Sequence, residues 1–162
     1  MATAIRTRRS GLERRHEAAH VLLVDGSEDS LEMYAEWCRH VGLVALTATE
    51  PAAALIQARD HQPQVVVSDV RIRRGFDGLE LLEQLRCDPL TADIPRLVLT
   101  GFISAAAREL AELSGCQSFL LKPCAPERLV DEIASALRRS RATARFPLAT
   151  RSPHSPDRIR HA

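Results

Sequence analysis

The chain has 162 residues, enough for one domain with a substantial core plus flanking arms. Its hydrophobic fraction of 45% and charged fraction of 27% are those of an ordinary globular protein, and no apolar stretch reaches the ~20 residues that a membrane-spanning helix needs. A net charge of +1 conceals an uneven distribution: residues 21–139 carry a net −6, residues 1–20 a net +3 and residues 140–162 a net +4.

Residues 1–19 are polar and Arg-rich and are expected to form a flexible basic arm. Arg8-Arg9 is not followed by an apolar segment, which argues against an export signal and for a cytoplasmic protein. Val21–Val24 is a short continuous apolar run, the pattern of a strand buried on both faces. A first helix is expected from Asp29, with Asp29 and Glu32 as a capping box, apolar positions Leu31, Tyr34, Ala35, Cys38 and Val41, and Gly42 as its stop. Leu43–Ala48 reads as a weaker strand, and Thr49 is placed to cap a helix running to about His61, with Pro51 in its first turn.

Val65–Ser68 is the third strand, and Asp77 with Glu80 forms a second capping box for a helix over Leu79–Arg86 that Asp88-Pro89 breaks. Arg96–Thr100 is the fourth strand, followed by a helix over about Ser104–Leu113 with Ser104 as cap and Gly115 as closure. Ser118–Leu121 is the fifth strand, and the last helix runs from Glu127 to about Arg139. Residues 140–162, rich in Arg, Ser and Pro, are expected to be a disordered tail. Tyr34 and Trp37 are expected to pack at the surface of the first helix, and Cys38, Cys87, Cys116 and Cys124, without metal-ligand spacing, to be small buried residues of a reduced protein. Strands alternating with helices predict a doubly wound α/β fold with a five-stranded parallel sheet.

Four of the five strands end in groups able to handle a phosphoryl group: Asp25, Asp69, Thr100 and Lys122. In an open parallel sheet the crevice lies beyond the carboxyl ends of the strands, so these four residues are expected to converge. Asp69 is the candidate nucleophile, since a carboxylate can accept a phosphoryl group as an aspartyl phosphate. That chemistry calls for a divalent cation such as Mg²⁺, with Asp25 as the second acid. Lys122 and Thr100 can then contact phosphoryl oxygens, and Gly101 leaves room for their approach. Lys122 is the sole lysine among 21 arginines, a compact point charge where the chain otherwise uses planar guanidinium groups.

The runs VLLVD, VVVSDVR, FDGLELL, RLVLTG and FLLKP resemble those of response regulator receiver domains, the phosphoryl-accepting modules of two-component signalling, over residues 20–139. The resemblance implies a flavodoxin-like (βα)5 sheet of strand order 2-1-3-4-5. It implies Asp69 as phosphoacceptor, Thr100 and Lys122 as phosphate contacts, and Mg²⁺ held by Asp25, Asp69 and the backbone carbonyl of Arg71. Thr100 and Phe119 fall at the positions of the switch pair, and Lys122-Pro123 at a cis peptide bond. Partners implied are a histidine kinase or histidine phosphotransfer protein and a downstream protein, with the chain a monomer or weak homodimer.

Three features depart from that family. Gly26 follows Asp25 where a second acid is usual, a loss of about 1–4 kcal/mol of cation attraction at an effective dielectric near 20. Glu28 is close in sequence, but a solvated helix-start acid is its simpler reading. The loop after Asp69 is one residue longer than usual and reads Arg73-Arg74-Gly75, with those arginines expected to be solvated. Phe102 stands two residues after Thr100, a position that tunes loss of the phosphoryl group in this family.

The main reading is a stand-alone phosphoswitch with no enzymatic activity and no output domain after the fifth helix. The alternative is a degenerate receiver that binds a partner independently of phosphorylation. A phosphatase of the haloacid dehalogenase type needs an acid two positions after the nucleophile, where this chain has Arg71. Specific nucleic-acid binding is disfavoured by the acidic body and the lack of a helix-turn-helix pattern.

Overall fold

A computed structural model describes residues 18–75, 77–102 and 104–145, with side chains to residue 142. Five strands alternate with five helices: β1 His20–Val24, α1 Glu28–His40, β2 Val44–Ala48, α2 Pro51–His61, β3 Val65–Ser68, α3 Asp77–Cys87, β4 Arg96–Thr100, α4 Ala105–Leu113, β5 Ser118–Leu121 and α5 Pro126–Arg145. All pairings are parallel, as the strand–helix alternation predicts, and the strand order is 2-1-3-4-5, as the family resemblance implies.

Side chains of a strand alternate between faces, and here both faces are apolar. Val21 and Leu23 of β1 join Val65, Val67, Leu97 and Leu99 beneath α1 and α5, which contribute Leu31, Cys38, Leu129 and Ile133. Leu22 and Val24 point the other way and pack with Val66 against Ala54, Ala58, Leu81 and Leu85 of α2 and α3. Each fully buried Leu or Val contributes roughly 1.5–3 kcal/mol relative to exposure, so these central strands hold the sheet together. Edge strands β2 and β5 are only partly buried, as their position in the order requires.

Several helix boundaries differ from those expected. Helix α1 is capped by Ser27, whose hydroxyl accepts from Ser30 N, so it starts before Asp29. Asp25 Oδ1 accepts from Ser27 N at 2.9 Å and sets the turn that brings Ser27 into the cap position. Helix α2 is capped by Glu50 rather than Thr49, with Pro51 opening it and no side-chain cap bond, because Glu50 is drawn to Arg73. Asp77 opens α3, but its carboxylate turns back to the preceding loop and accepts from Ile72 N, Arg73 N and Arg74 N.

Helix α4 begins after Ser104, whose hydroxyl accepts from Ala107 N at 3.0 Å, and Gly115 follows it at φ +75. Helix α5 continues through Arg145, so residues 140–145 belong to a helix and not to the tail. Arg and Ala are good helix formers, and no proline interrupts the chain until Pro147. The basic arm to residue 17 and the tail from residue 146 lie outside the described residues.

Candidate phosphoryl-acceptor site

The register of the sheet puts the ends of β1, β3 and β4 side by side, with β5 next to β4. Asp69 N donates to Val24 O, and Lys122 N donates to Thr100 O, so the ladder continues one residue past each strand and fixes the site's backbone. Asp25, Asp69, Thr100 and Lys122 meet there, beside the point where the strand order reverses.

The Asp69 carboxylate is bracketed. Thr100 Oγ1 donates to its Oδ1 at 2.5 Å, and Lys122 Nζ donates to its Oδ2 at 3.2 Å. Lys122 Nζ also donates to Asp25 Oδ2, so one ammonium bridges both carboxylates. Burial pushes the Lys122 ammonium down, but the hydrogen bond to Asp25 and the charges of Asp69 and Asp25 outweigh it and hold its pKa above the ordinary lysine value. The Asp69 side chain keeps 12% of its surface exposed, enough to be reached from outside. Thr100 is fully buried, and its hydroxyl accepts from Phe102 N at 3.2 Å while donating to Asp69.

Arg71 N donates to Asp69 Oδ1 at 3.1 Å, which directs the start of the β3–α3 loop around the carboxylate. The Arg71 guanidinium lies 5.0 Å above the Phe102 ring, so an apolar surface and its cationic cover flank the mouth. The loop arginines are exposed, as expected, and Arg73 makes a surface pair with Glu50 and reaches Thr49 O at 3.4 Å. Phe119 is half-buried against Val70, Leu79, Val98 and Ala107, with the Arg108 guanidinium on its outer side. The Lys122-Pro123 peptide bond is cis.

Two residues near the site and one at the far end of β4 take roles that their sequence patterns did not show. Tyr34 is 5% exposed, not a helix-surface residue, and its hydroxyl donates to Cys124 O at 2.9 Å, tying α1 to the segment after Lys122. Asp77 organises the β3–α3 loop by accepting from three of its amides. Arg96 is a buried cation whose guanidinium donates to the carbonyls of Ala92, Ile94 and Ser114, joining the start of β4 to the end of α4. The cysteines also differ from expectation: Cys38 is buried, Cys116 and Cys124 are partly exposed and Cys87 is exposed. Glu28 is exposed in the first turn of α1 and stays outside the site.

Two glycines mark tight approaches of backbone to this site. A Cβ on Gly78 would lie 2.8 Å from the carbonyl carbons of Asp69 and of Val70 and still closer to Asp69 O, so α3 starts directly against the Asp69 backbone. A Cβ on Gly26 would overlap the carbonyl oxygen of Ile72 and lie 3.0 Å from its carbon. The place of the missing second acid is therefore filled by backbone.

Among the described residues, no cluster of three or more His, Cys, Asp or Glu side chains could hold a metal ion. The two convergent carboxylates nevertheless fit Mg²⁺ in donor type, because that ion is usually held by one or two carboxylates, its own waters and phosphate oxygens.

The family model for the response regulator receiver domain matches residues 21–134. The chain belongs to the response regulator receiver family. It is 25% identical over 117 residues to the polar-differentiation response regulator DivK of Brucella anthropi, a match covering 72% of this chain and 94% of DivK. It is 31% identical over 124 residues to the transcriptional regulatory protein PrrA of Mycobacterium bovis, covering 76% of this chain and 52% of PrrA. Among solved structures, the chemotaxis response regulator CheY4 of Vibrio cholerae aligns with a TM-score of 0.67 at 27% identity, over 74% of this chain and 98% of that one. A CheY-like receiver domain from Methanospirillum hungatei shares the fold at a TM-score of 0.72. No helix among the described residues is long and apolar enough to cross a membrane.

Proposed function

We propose that this receiver accepts a phosphoryl group on Asp69 from a histidine kinase or histidine phosphotransfer protein, and that phosphorylation alters a protein-binding face formed by α4, β5 and α5. The observation that carries this reading is the bracketing of the Asp69 carboxylate by the Thr100 hydroxyl and the Lys122 ammonium. An Asp69 carboxylate oxygen attacks the phosphorus of the donor phosphohistidine. The new P–O bond forms as the P–N bond breaks, and the imidazole, protonated on its other ring nitrogen, leaves neutral with the electron pair of that bond. Lys122 and Thr100 then turn from carboxylate oxygens to the oxygens of the transferred group, as a cation and a hydroxyl donor can.

The carboxylates of Asp25 and Asp69 and the carbonyl of Arg71 are the groups to hold Mg²⁺, which when bound neutralises charge on the transferring phosphoryl group. As Thr100 follows the phosphoryl group, the half-buried Phe119 ring gains room to turn inward and reshape the α4–β5 surface. The same reading makes the protein a cytoplasmic signalling component, monomeric or weakly dimeric, with no enzymatic output of its own and no specific affinity for nucleic acid.

The test is the intact mass of the protein after incubation with acetyl phosphate, with and without Mg²⁺, beside Asp69→Asn. An added phosphoryl mass that requires both Mg²⁺ and Asp69 supports the reading. A second reading, a phosphorylation-independent interaction module, is favoured by Gly26, where backbone stands in the place of a second acid. Absence of the adduct at high Mg²⁺, with the protein folded, decides for it.

A further inference from the structure

The closure of position 26 is built by a specific piece of chain. The side chain of Ile72 is 6% exposed and packs with Leu22, Val24, Ala48 and Ala54, which anchors the loop from below. Its amide and those of Arg73 and Arg74 donate to the Asp77 carboxylate at 2.8, 2.8 and 3.2 Å, which anchors the loop from the α3 side. The Arg73 guanidinium, paired with Glu50, ties the same loop to the start of α2. A carbonyl held from three directions has little freedom to withdraw, so the Ile72 oxygen that a Gly26 Cβ would strike cannot easily give way.

We infer that Gly26 and the Asp77-pinned Ile72 peptide form one unit, in which backbone replaces the side chain of the second acid and limits the acidic donors for a divalent cation to Asp25 and Asp69. Asp77 is the positioning residue of this unit. An acid introduced at position 26 alone finds its place taken. The cation part of this inference rests on the phosphoacceptor reading, but the packing part does not.

The experiment is calorimetry on the full chain: thermal unfolding without Mg²⁺, and titration with Mg²⁺ as the probe. Gly26→Ala, the smallest intrusion, is expected to lower Tm by at least about 4 °C. The fall is smaller in an Asp77→Ala background, where the loop can move aside. Gly26→Asp alone is expected to lower Tm and leave the Mg²⁺ Kd within about threefold of the starting protein. In the Asp77→Ala background the same change tightens Mg²⁺ binding about tenfold.

Wild-type Tm for Gly26→Ala, an equal fall in both backgrounds, or a tenfold tightening from Gly26→Asp alone overturns the inference. Because Gly26→Ala is read without cation, the packing result stands even where Gly26→Asp does not fold. Failure of acetyl phosphate to modify Asp69, with these results as expected, counts against the phosphoacceptor reading only.

Discussion

The guanidinium of Arg108 lies 5.5 Å from the centroid of the Phe119 ring and covers it from the α4 side. The half-buried ring also packs against the cluster that holds Val98 and Ala107, so both the core and the cation hold its present position. Turning inward forfeits the cation, an interaction of about 0.5–1 kcal/mol at a partly exposed site. Arg108→Ala is therefore expected to raise the inward population of Phe119 about two- to fivefold before any phosphorylation. Aromatic side-chain NMR reads the ratio, and an unchanged value removes Arg108 from the switch.

Removing the bridging ammonium leaves two carboxylates facing each other. Lys122→Met is expected to lower Tm at neutral pH, because Asp25 and Asp69 both lose their shared cation. A divalent cation then takes over the neutralising role. Mg²⁺ should accordingly raise the Tm of this variant by more than it raises that of the unaltered protein. Equal shifts in a thermal scan would show that the ammonium and the cation do not share these oxygens.

Asp77 gives the β3–α3 loop a defined acid sensitivity. Burial raises its pKa, but hydrogen bonds from the Arg73, Arg74, Ile72 and Gly78 amides outweigh that and hold it below the ordinary aspartate range. A depressed carboxylate contributes stability that is full above its unfolded pKa and is lost as pH falls through the folded one. Asp77→Ala is expected to cost roughly 1–2 kcal/mol near pH 6, as hydrogen bonds to a charged acceptor do. The difference should shrink as pH falls through and below the ordinary carboxylate range. A difference in stability that stays constant from pH 6 to pH 3 would assign the cost to something other than the carboxylate.

Tyr34→Phe deletes one hydroxyl at a buried position and strands the Cys124 carbonyl it served. The expected loss is about 1 kcal/mol, seen as a lower denaturant midpoint with the slope unchanged. Amide exchange should quicken in the segment after Pro123, because that carbonyl anchors it to α1. Uniform quickening throughout the sheet would instead indicate a global loss of packing.

The strands could be read from the chain because continuous apolar runs such as Val65–Val67 leave few alternatives, and Asp69, Thr100 and Lys122 stood at their ends. Helix starts were less legible because capping depends on where a side chain turns. Asp77 and Glu80 have capping-box spacing, yet Asp77 faces backward to three loop amides. Thr49 is a cap-type residue like Ser104, but α2 opens at Pro51, so the cap position falls on Glu50, whereas Ser104 stands directly before its own helix. Gly26 was visible as a missing acid. That its place is filled by Ile72 follows from a contact between residues 46 positions apart, which no local pattern carries.

Lys122 is the only residue in the chain with an ε-amino group. Apart from the amino terminus, an amine-directed acylating reagent has one target, and it lies between the two acids of the site. Its raised pKa leaves little free amine at neutral pH, so acylation should be slow and should accelerate when Asp25 is replaced by Asn. The protein thus carries a native chemical probe of its own acidic pocket, readable by mass without any engineered label.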